Sequence, residues 1–131
     1  SAFIGLEARL VKTVMDALER ILGEIGDHTT MERLIRRTLV GADRKNPLRL
    51  RVASEQFEMV NGLLSTVLQE FPEVQYIDVL KDPNGAPGMC VLESEFGIVD
   101  ASLDTQMAAV RAGLISAFVG KRQSAPIIPT P

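Results

Sequence analysis

The stretch CVLESEFGIVDASLD, from Cys90 to Asp104, places four carboxylates close together: Glu93, Glu95, Asp100 and Asp104. Carboxylates this dense in apolar company can hold a divalent cation or form a general acid/base pair. Glu93 and Glu95 are two apart, so on an extended chain they share one face. Asp100 comes back beside them if the segment folds as a hairpin. A small metal-dependent hydrolase using Glu93, Glu95 and Asp100 is therefore the catalytic reading. Such a site ordinarily carries a lysine one or two residues further on. Here Phe96 and Gly97 follow Glu95, and the nearest lysine upstream is Lys81. Zinc would need several His or Cys ligands, and the chain has one of each, His28 and Cys90. Ser94 lacks the surroundings of a nucleophile elbow. The turn cluster DPNGAPG has neither a dinucleotide fingerprint nor a phosphate loop, and it joins strand to strand.

Each acidic residue also has a structural job. Asp104 suits the first turn of a helix, where the dipole favours negative charge. Asp100 can accept backbone N–H groups at a strand-to-helix corner. Glu93 and Glu95 can lie on a solvated strand face. On this weighing the segment is a hairpin feeding a helix, and no catalytic, metal-binding or cofactor-binding residue is expected.

Composition sets the frame. The 131 residues suit one domain, with 46% hydrophobic and 24% charged residues and a net charge of −3. That balance gives no strong pull toward nucleic acid or anionic lipid. No apolar run approaches the roughly 20 residues that span a bilayer, and no secretory signal pattern is present. A single cysteine excludes an internal disulfide and fits a reducing cytoplasm. The chain opens Ser-Ala without methionine, which sets the expectation of a piece of a longer protein.

The elements that must position the acidic stretch follow from periodicity. A first helix from Ala2 to about Ile25 carries two apolar stripes, one of Phe3, Leu6, Leu10, Val14, Ala17 and Ile21, the other of Val11, Met15, Leu18 and Leu22. Together they cover more surface than one packed face needs, so the helix is either deep in its own domain or shared with a partner chain. Glu7 interrupts the arc. Thr29 is expected to open a second helix, with Glu32 completing a capping box, and Arg33, Arg36, Arg37 and Arg44 make it basic outside. A solvated face or an acidic protein partner suits that helix better than RNA, because the sheet offers no stacking aromatics: Tyr76 is the only tyrosine and tryptophan is absent. LRLRV alternates as a half-buried strand. Ser54 is expected to cap a helix that Pro72 stops, and VQYIDVL is the next strand, parallel to the first through a crossover. Strands are expected at 48–53, 75–81, 89–95 and 97–101. Gly97 is expected at positive φ in the hairpin turn, with Gly97→Val destabilising by roughly 1–3 kcal/mol. Ser102 is expected to cap a last helix that Gly120 ends, and 121–131 reads as a disordered Pro-rich tail.

The fold class is α+β: two N-terminal helices, a small mixed four-stranded sheet in β-α-β-β-β order, and a C-terminal helix, all in one domain over 1–120. The last helix, through Gln106, Val110, Arg111 and Leu114, and the first, through Val11 and Met15, are the expected partner-binding parts.

The segment GMCVLESEFGIVDASLDTQM resembles the HrpE/YscL/FliH family, the peripheral-stalk (stator) proteins of type III secretion and flagellar export ATPases. The family's hairpin reads roughly Glu-[Ser/Thr]-x-Phe-Gly-x-[Val/Ile]-Asp-Ala-Ser before a helix beginning near Thr-Gln. Glu93, Ser94, Phe96, Gly97, Val99, Asp100, Ala101, Ser102, Thr105 and Gln106 match in place. The resemblance covers about Leu34 to Phe118 and looks closer to the injectisome branch than to the flagellar one. It implies a domain like the C-terminal domain of the V-type ATPase E subunit. It also implies a homodimer that binds the N-terminal region of the export ATPase, restrains its hydrolysis and links it to the cytoplasmic sorting platform, at the cytoplasmic face of the inner membrane. The stator family has no catalytic residues. Residues 1–26 could continue a stalk helix. Neither nucleic acid nor direct membrane insertion belongs to that role.

Overall fold

The computed structural model describes residues 2–25 and 27–124. They form α1 (Ala2–Ile25), α2 (Asp27–Gly41), β1 (Leu48–Ala53), α3 (Phe57–Val67), β2 (Ile77–Asp82), β3 (Cys90–Ser94), β4 (Gly97–Asp100) and α4 (Leu103–Ser124). The chain divides into two compact units, one of α1 with α4 from Met107 onward and the other spanning Ile25–Gln106.

The Ile25–Gln106 unit is a two-layer structure. Its sheet runs β2-β1-β3-β4, with β1 parallel to β2 and antiparallel to β3, and β3 antiparallel to β4. The alternation of LRLRV sets the sidedness. Leu48, Leu50 and Val52 are fully buried, whereas Arg49 is exposed and Arg51 half-buried. Helices α2 and α3 lie on the leucine face, α2 against β3 and β4, α3 against β1 and β2. Met31, Ile35 and Leu39 of α2, Val60 and Val67 of α3, and Cys90 and Leu92 of β3 close one apolar core around β1. Burying each such side chain stabilises by roughly 1.5–3 kcal/mol before conformational entropy is charged against it. On the opposite face the register sets Arg49 between Asp78 of β2 and Glu93 of β3.

Several helix ends differ from expectation. α2 begins at Asp27, which itself complements the dipole. Thr29 thus lies inside the helix, and Glu32 pairs with Arg36 at 2.8 Å instead of completing a capping box. After β1 the chain turns through a 3-10 segment, Ser54–Gln56, before α3, and neither start carries a side-chain cap, so Ser54 does not act as one. β2 starts two residues later than expected, at Ile77. Gly120 does not end α4, which runs to Ser124. The disorder expected of the tail falls, from residue 125 on, outside the described residues, as does Gly26 between the first two helices.

The arginines of α2 and of the segment after it divide in two. Arg36 also reaches Glu70 at 2.8 Å. Arg44 pairs with Glu73, donates to the Leu39 carbonyl at 2.8 Å, and lies over the Phe71 ring. It thereby satisfies the end of α2 and ties it to the loop after α3. Arg33 and Arg37 are exposed.

Candidate partner-binding surfaces

The acidic hairpin is positioned by a two-residue loop. Ser94 pairs with Gly97, so Glu95 and Phe96 form the turn and Gly97 opens β4. The register aligns Glu93 with Ile98 and Val91 with Asp100. Glu93 is half-buried and ion-paired to Arg51 at 3.1 Å and Arg49 at 3.7 Å. Glu95 lies past the end of β3 and is exposed, so it does not share a strand face with Glu93.

Asp100 organises the corner into α4. One carboxylate oxygen accepts the Ser102 N–H at 2.9 Å, and the other accepts the Thr105 hydroxyl at 3.1 Å. Burial would raise its pKa, but the Ser102 and Thr105 hydrogen bonds outweigh it and hold the carboxyl below its ordinary value. Ser102 stands at the N-cap position, since its carbonyl accepts the first helical N–H from Gln106. Its hydroxyl, however, turns to the sheet and accepts the Cys90 N–H at 3.0 Å. Gln106 serves the same corner, donating its amide to the Ala101 carbonyl at 2.7 Å. Phe96 is exposed at the hairpin tip.

Two residues outside the acidic stretch lock this corner, and periodicity does not reveal them. Gly88 has φ +92°, and a Cβ there would stand 2.8 Å from that of Leu103. Its N–H donates to the buried side-chain oxygen of Gln56 at 2.8 Å, and its carbonyl accepts the Leu103 N–H at 2.9 Å. Gly97 has φ +158°, the positive value expected of it and one that L side chains rarely adopt, with open space where a Cβ would go. Both positions thus demand glycine by backbone conformation, and Gly88 does so by close contact as well.

Among the described residues no three Asp, Glu, His or Cys side chains converge on a possible metal position. Cys90 is buried at the centre of the sheet. Burial pushes its thiol up to about 12, with the nearby Asp100 charge adding to that and the Thr38 hydroxyl opposing it. At neutral pH it is a packed thiol rather than a nucleophile.

The second surface belongs to the α1/α4 unit. Of the two apolar stripes on α1, the one of Val11, Met15, Leu18 and Leu22 is the more covered, with Val11 buried and the others half-buried. Leu6, Leu10, Val14 and Ile21 of the other stripe remain 39–51% exposed. A groove of about 370 Å³ runs between the helices, with Val11, Ile115, Phe118 and Val119 on its walls and Glu7 and Arg111 at its edges. Of the residues expected to bind a partner, Val11 and Arg111 meet in this groove. Leu114 is half-buried, Val110 and Met15 lie outside the lining, and Gln106 belongs to the hairpin corner. Ile115 and Val119 were not singled out by the sequence reading. Their spacing of four is the signal that marks them as one side of α4.

Comparison with known proteins adds to this geometry. The profile of the flagellar assembly protein FliH matches residues 5–110. Over 105 residues, 80% of this chain, the sequence is 29% identical to the type 3 secretion system stator proteins of Yersinia pestis and Yersinia enterocolitica. It is 27% identical over 63 residues, 48% of this chain and 21% of the relative, to the flagellar assembly protein FliH of Borreliella burgdorferi. The chain spans about half the length of the Yersinia relatives, 48% and 47% of them.

Proposed function

The chain belongs to the FliH family of flagellar assembly proteins, and on that premise we propose that it is a non-catalytic stator domain of a type III secretion system. In this reading it binds the N-terminal region of the export ATPase, regulates its hydrolysis, and connects it to the cytoplasmic sorting platform. It acts as a homodimer at the cytoplasmic face of the inner membrane. No helix among the described residues is long and apolar enough to cross a membrane. The names of the Yersinia relatives support the stator role.

The observation that carries the reading is the imbalance of the α1/α4 unit. Val11 is its only buried hydrophobic side chain among the described residues, while Leu6, Leu10, Val14, Ile21, Val110, Ile115 and Val119 are each 39% or more exposed. Two helices with so little covered surface do not stabilise each other alone in water. Exposed apolar stripes on this scale mark partner sites. An amphipathic helix of the ATPase would lie in the groove by Arg111, a common mode of recognition. A second copy of the chain would cover the Leu6–Ile21 stripe.

Light scattering on a mixture of the full-length protein and its cognate export ATPase tests this. The expected species holds two copies of this chain per ATPase. Val119→Glu should remove the ATPase and leave the dimer, whereas Leu10→Glu should weaken the dimer. Raising salt should slow association more than it weakens the complex, because Arg9, Lys12, Arg20 and Arg111 border the stripes. No complex at micromolar concentration, or unchanged ATPase binding by Val119→Glu, would overturn the assignment of this surface.

A further inference from the structure

Strand β4 is an edge of the sheet, paired with β3 alone. The hairpin closes on the Ser94–Gly97 pair, and beyond β4 the Ala101 N–H donates to the Cys90 carbonyl at 2.9 Å. Hydrogen-bonded pairs alternate along an antiparallel ladder, so Gly97, Val99 and Ala101 turn their backbone groups toward β3. Ile98 and Asp100 turn theirs outward. No strand among the described residues lies on that side of β4.

The edge is also apolar. Val40, Phe96 and Ile98 are the most exposed large hydrophobic side chains among the described residues, at 68%, 71% and 67%. Phe96 and Ile98 line a cleft of about 310 Å³ whose other wall is Gly41, Ala42 and Asp43 at the end of α2. Val40 precedes that wall in sequence. An exposed apolar edge strand is ordinarily blunted by lysine, proline or a bulge, because it templates pairing with other chains. β4 carries none of these.

Its charge states what would pair with it. From Lys81 to Arg111 the chain contains no intervening Lys or Arg, but Asp82, Glu93, Glu95, Asp100 and Asp104. Only Glu93 among these makes an ion pair within the described residues. Two copies joined edge to edge through β4 would set these acidic residues against one another, which is unfavourable. A basic segment would not be opposed.

We propose that β4 receives an extended segment of a protein partner as a fifth strand, one that alternates apolar with Lys or Arg residues. The apolar side chains enter the cleft beside Val99. The basic ones lie on the open face by Asp100 and near Glu95. The segment's backbone pairs with the N–H and carbonyl groups of Ile98 and Asp100, as in other strand-addition interfaces. This surface is separate from the α1/α4 groove and does not rest on the stator reading.

The test is an NMR titration of the ¹⁵N-labelled chain with an acetylated, amidated hexapeptide of alternating valine and lysine. Saturable shifts confined to residues 40–43 and 96–100, with slowed amide exchange at Ile98, are expected. Ile98→Pro removes an outward N–H while leaving the β3 ladder intact, and an edge strand tolerates it. It should weaken binding roughly tenfold, the loss of one or two backbone hydrogen bonds. Two modified peptides then decide the mode on the parent chain, whatever the variant does to folding. In an added strand only alternate residues face β4, so methylating all valine amides or all lysine amides must abolish binding in one case and spare it in the other. Equal binding by both methylated peptides would reduce the effect to charge attraction and overturn the proposal. Absence of saturable shifts at millimolar peptide, shifts centred elsewhere, or peptide-free pairing of two chains through β4 would overturn it as well.

Discussion

Replacing Gly88 by alanine should be among the most damaging single-methyl changes in the Ile25–Gln106 unit. The residue sits at φ +92°, a region that L-residues with a Cβ occupy at a penalty of about 1–3 kcal/mol. The added Cβ would also stand 2.8 Å from the Leu103 Cβ, a short branch on the helix backbone that cannot swing aside. Relief requires moving either α4's first residue or the loop. Both strain the two hydrogen bonds that Gly88 makes, to Gln56 and from Leu103. Weakening one of them adds about 1 kcal/mol, so the expected loss is roughly 2–4 kcal/mol. For a domain of this size that lowers the melting temperature by roughly 6–16 °C. Gly97→Ala isolates the backbone cost: its φ of +158° is also one that L side chains rarely adopt, but no heavy atom lies within 4 Å of the new Cβ. It should lose about 1–3 kcal/mol from backbone strain alone, the range expected for Gly97→Val. Parallel urea titrations followed by circular dichroism measure both. If Gly97→Ala destabilises as much as Gly88→Ala, the close contact of the new Cβ with Leu103 adds nothing and that part of the reasoning is wrong.

Two further outcomes follow from titrating groups. The Asp100 carboxyl is held below its ordinary pKa, so its stabilisation is complete above the unfolded value near 4 and disappears as pH falls through the lower folded value. The stability difference between the parent chain and Asp100→Asn should therefore be constant from pH 7 down to about 5 and shrink below that, as read by urea unfolding at each pH. A difference that grew on acidification would refute the hydrogen-bond assignment. The Cys90 thiol, buried and raised to about 12, should react with a thiol reagent at pH 8 only through opening of the sheet. Its labelling rate should rise in proportion to the unfolding constant of destabilised variants such as Gly88→Ala. Rapid labelling of the folded chain would place the thiol at the surface.

The legible parts of this fold are those with a local cause. The Leu/Arg alternation of β1 admits one strand in one orientation, and its bounds at 48–53 coincide with the observed strand. The Glu93–Asp100 hairpin follows from two apolar runs separated by a turn. The misread positions are those where a plausible cap residue competes with chain geometry. Thr29 and Ser54 have the chemistry of N-caps, yet α2 starts at Asp27 and α3 is entered through a 3-10 turn. Gln56 and Gly88 were missed for a different reason. Their bond spans 32 residues of sequence, so no window carries it. On α1 both stripes are apolar and follow the same helical spacing. Which of them packs depends on α4, and nothing in α1 itself distinguishes them.

The four carboxylates that open the question of chemistry end in different electrostatic states, and that difference is what separates a catalytic cluster from a partner surface. Glu93 faces two arginines of β1, and Asp100 faces hydrogen-bond donors at the head of α4. An acid/base pair needs two groups near one reacting atom with pKa values pushed apart. Here the two carboxylates have different partners, which draw Glu93 and Asp100 to separate tasks. Glu95 and Asp104 stay in solvent, one at the hairpin tip and one in the first turn of α4. Their charge acts outward, with that of Asp100, along a strand edge that also exposes Phe96 and Ile98. Negative charge beside unpaired backbone repels a second identical edge and draws in a basic one. On the proposal made for β4, the same residues give an extended basic partner a selective place to dock.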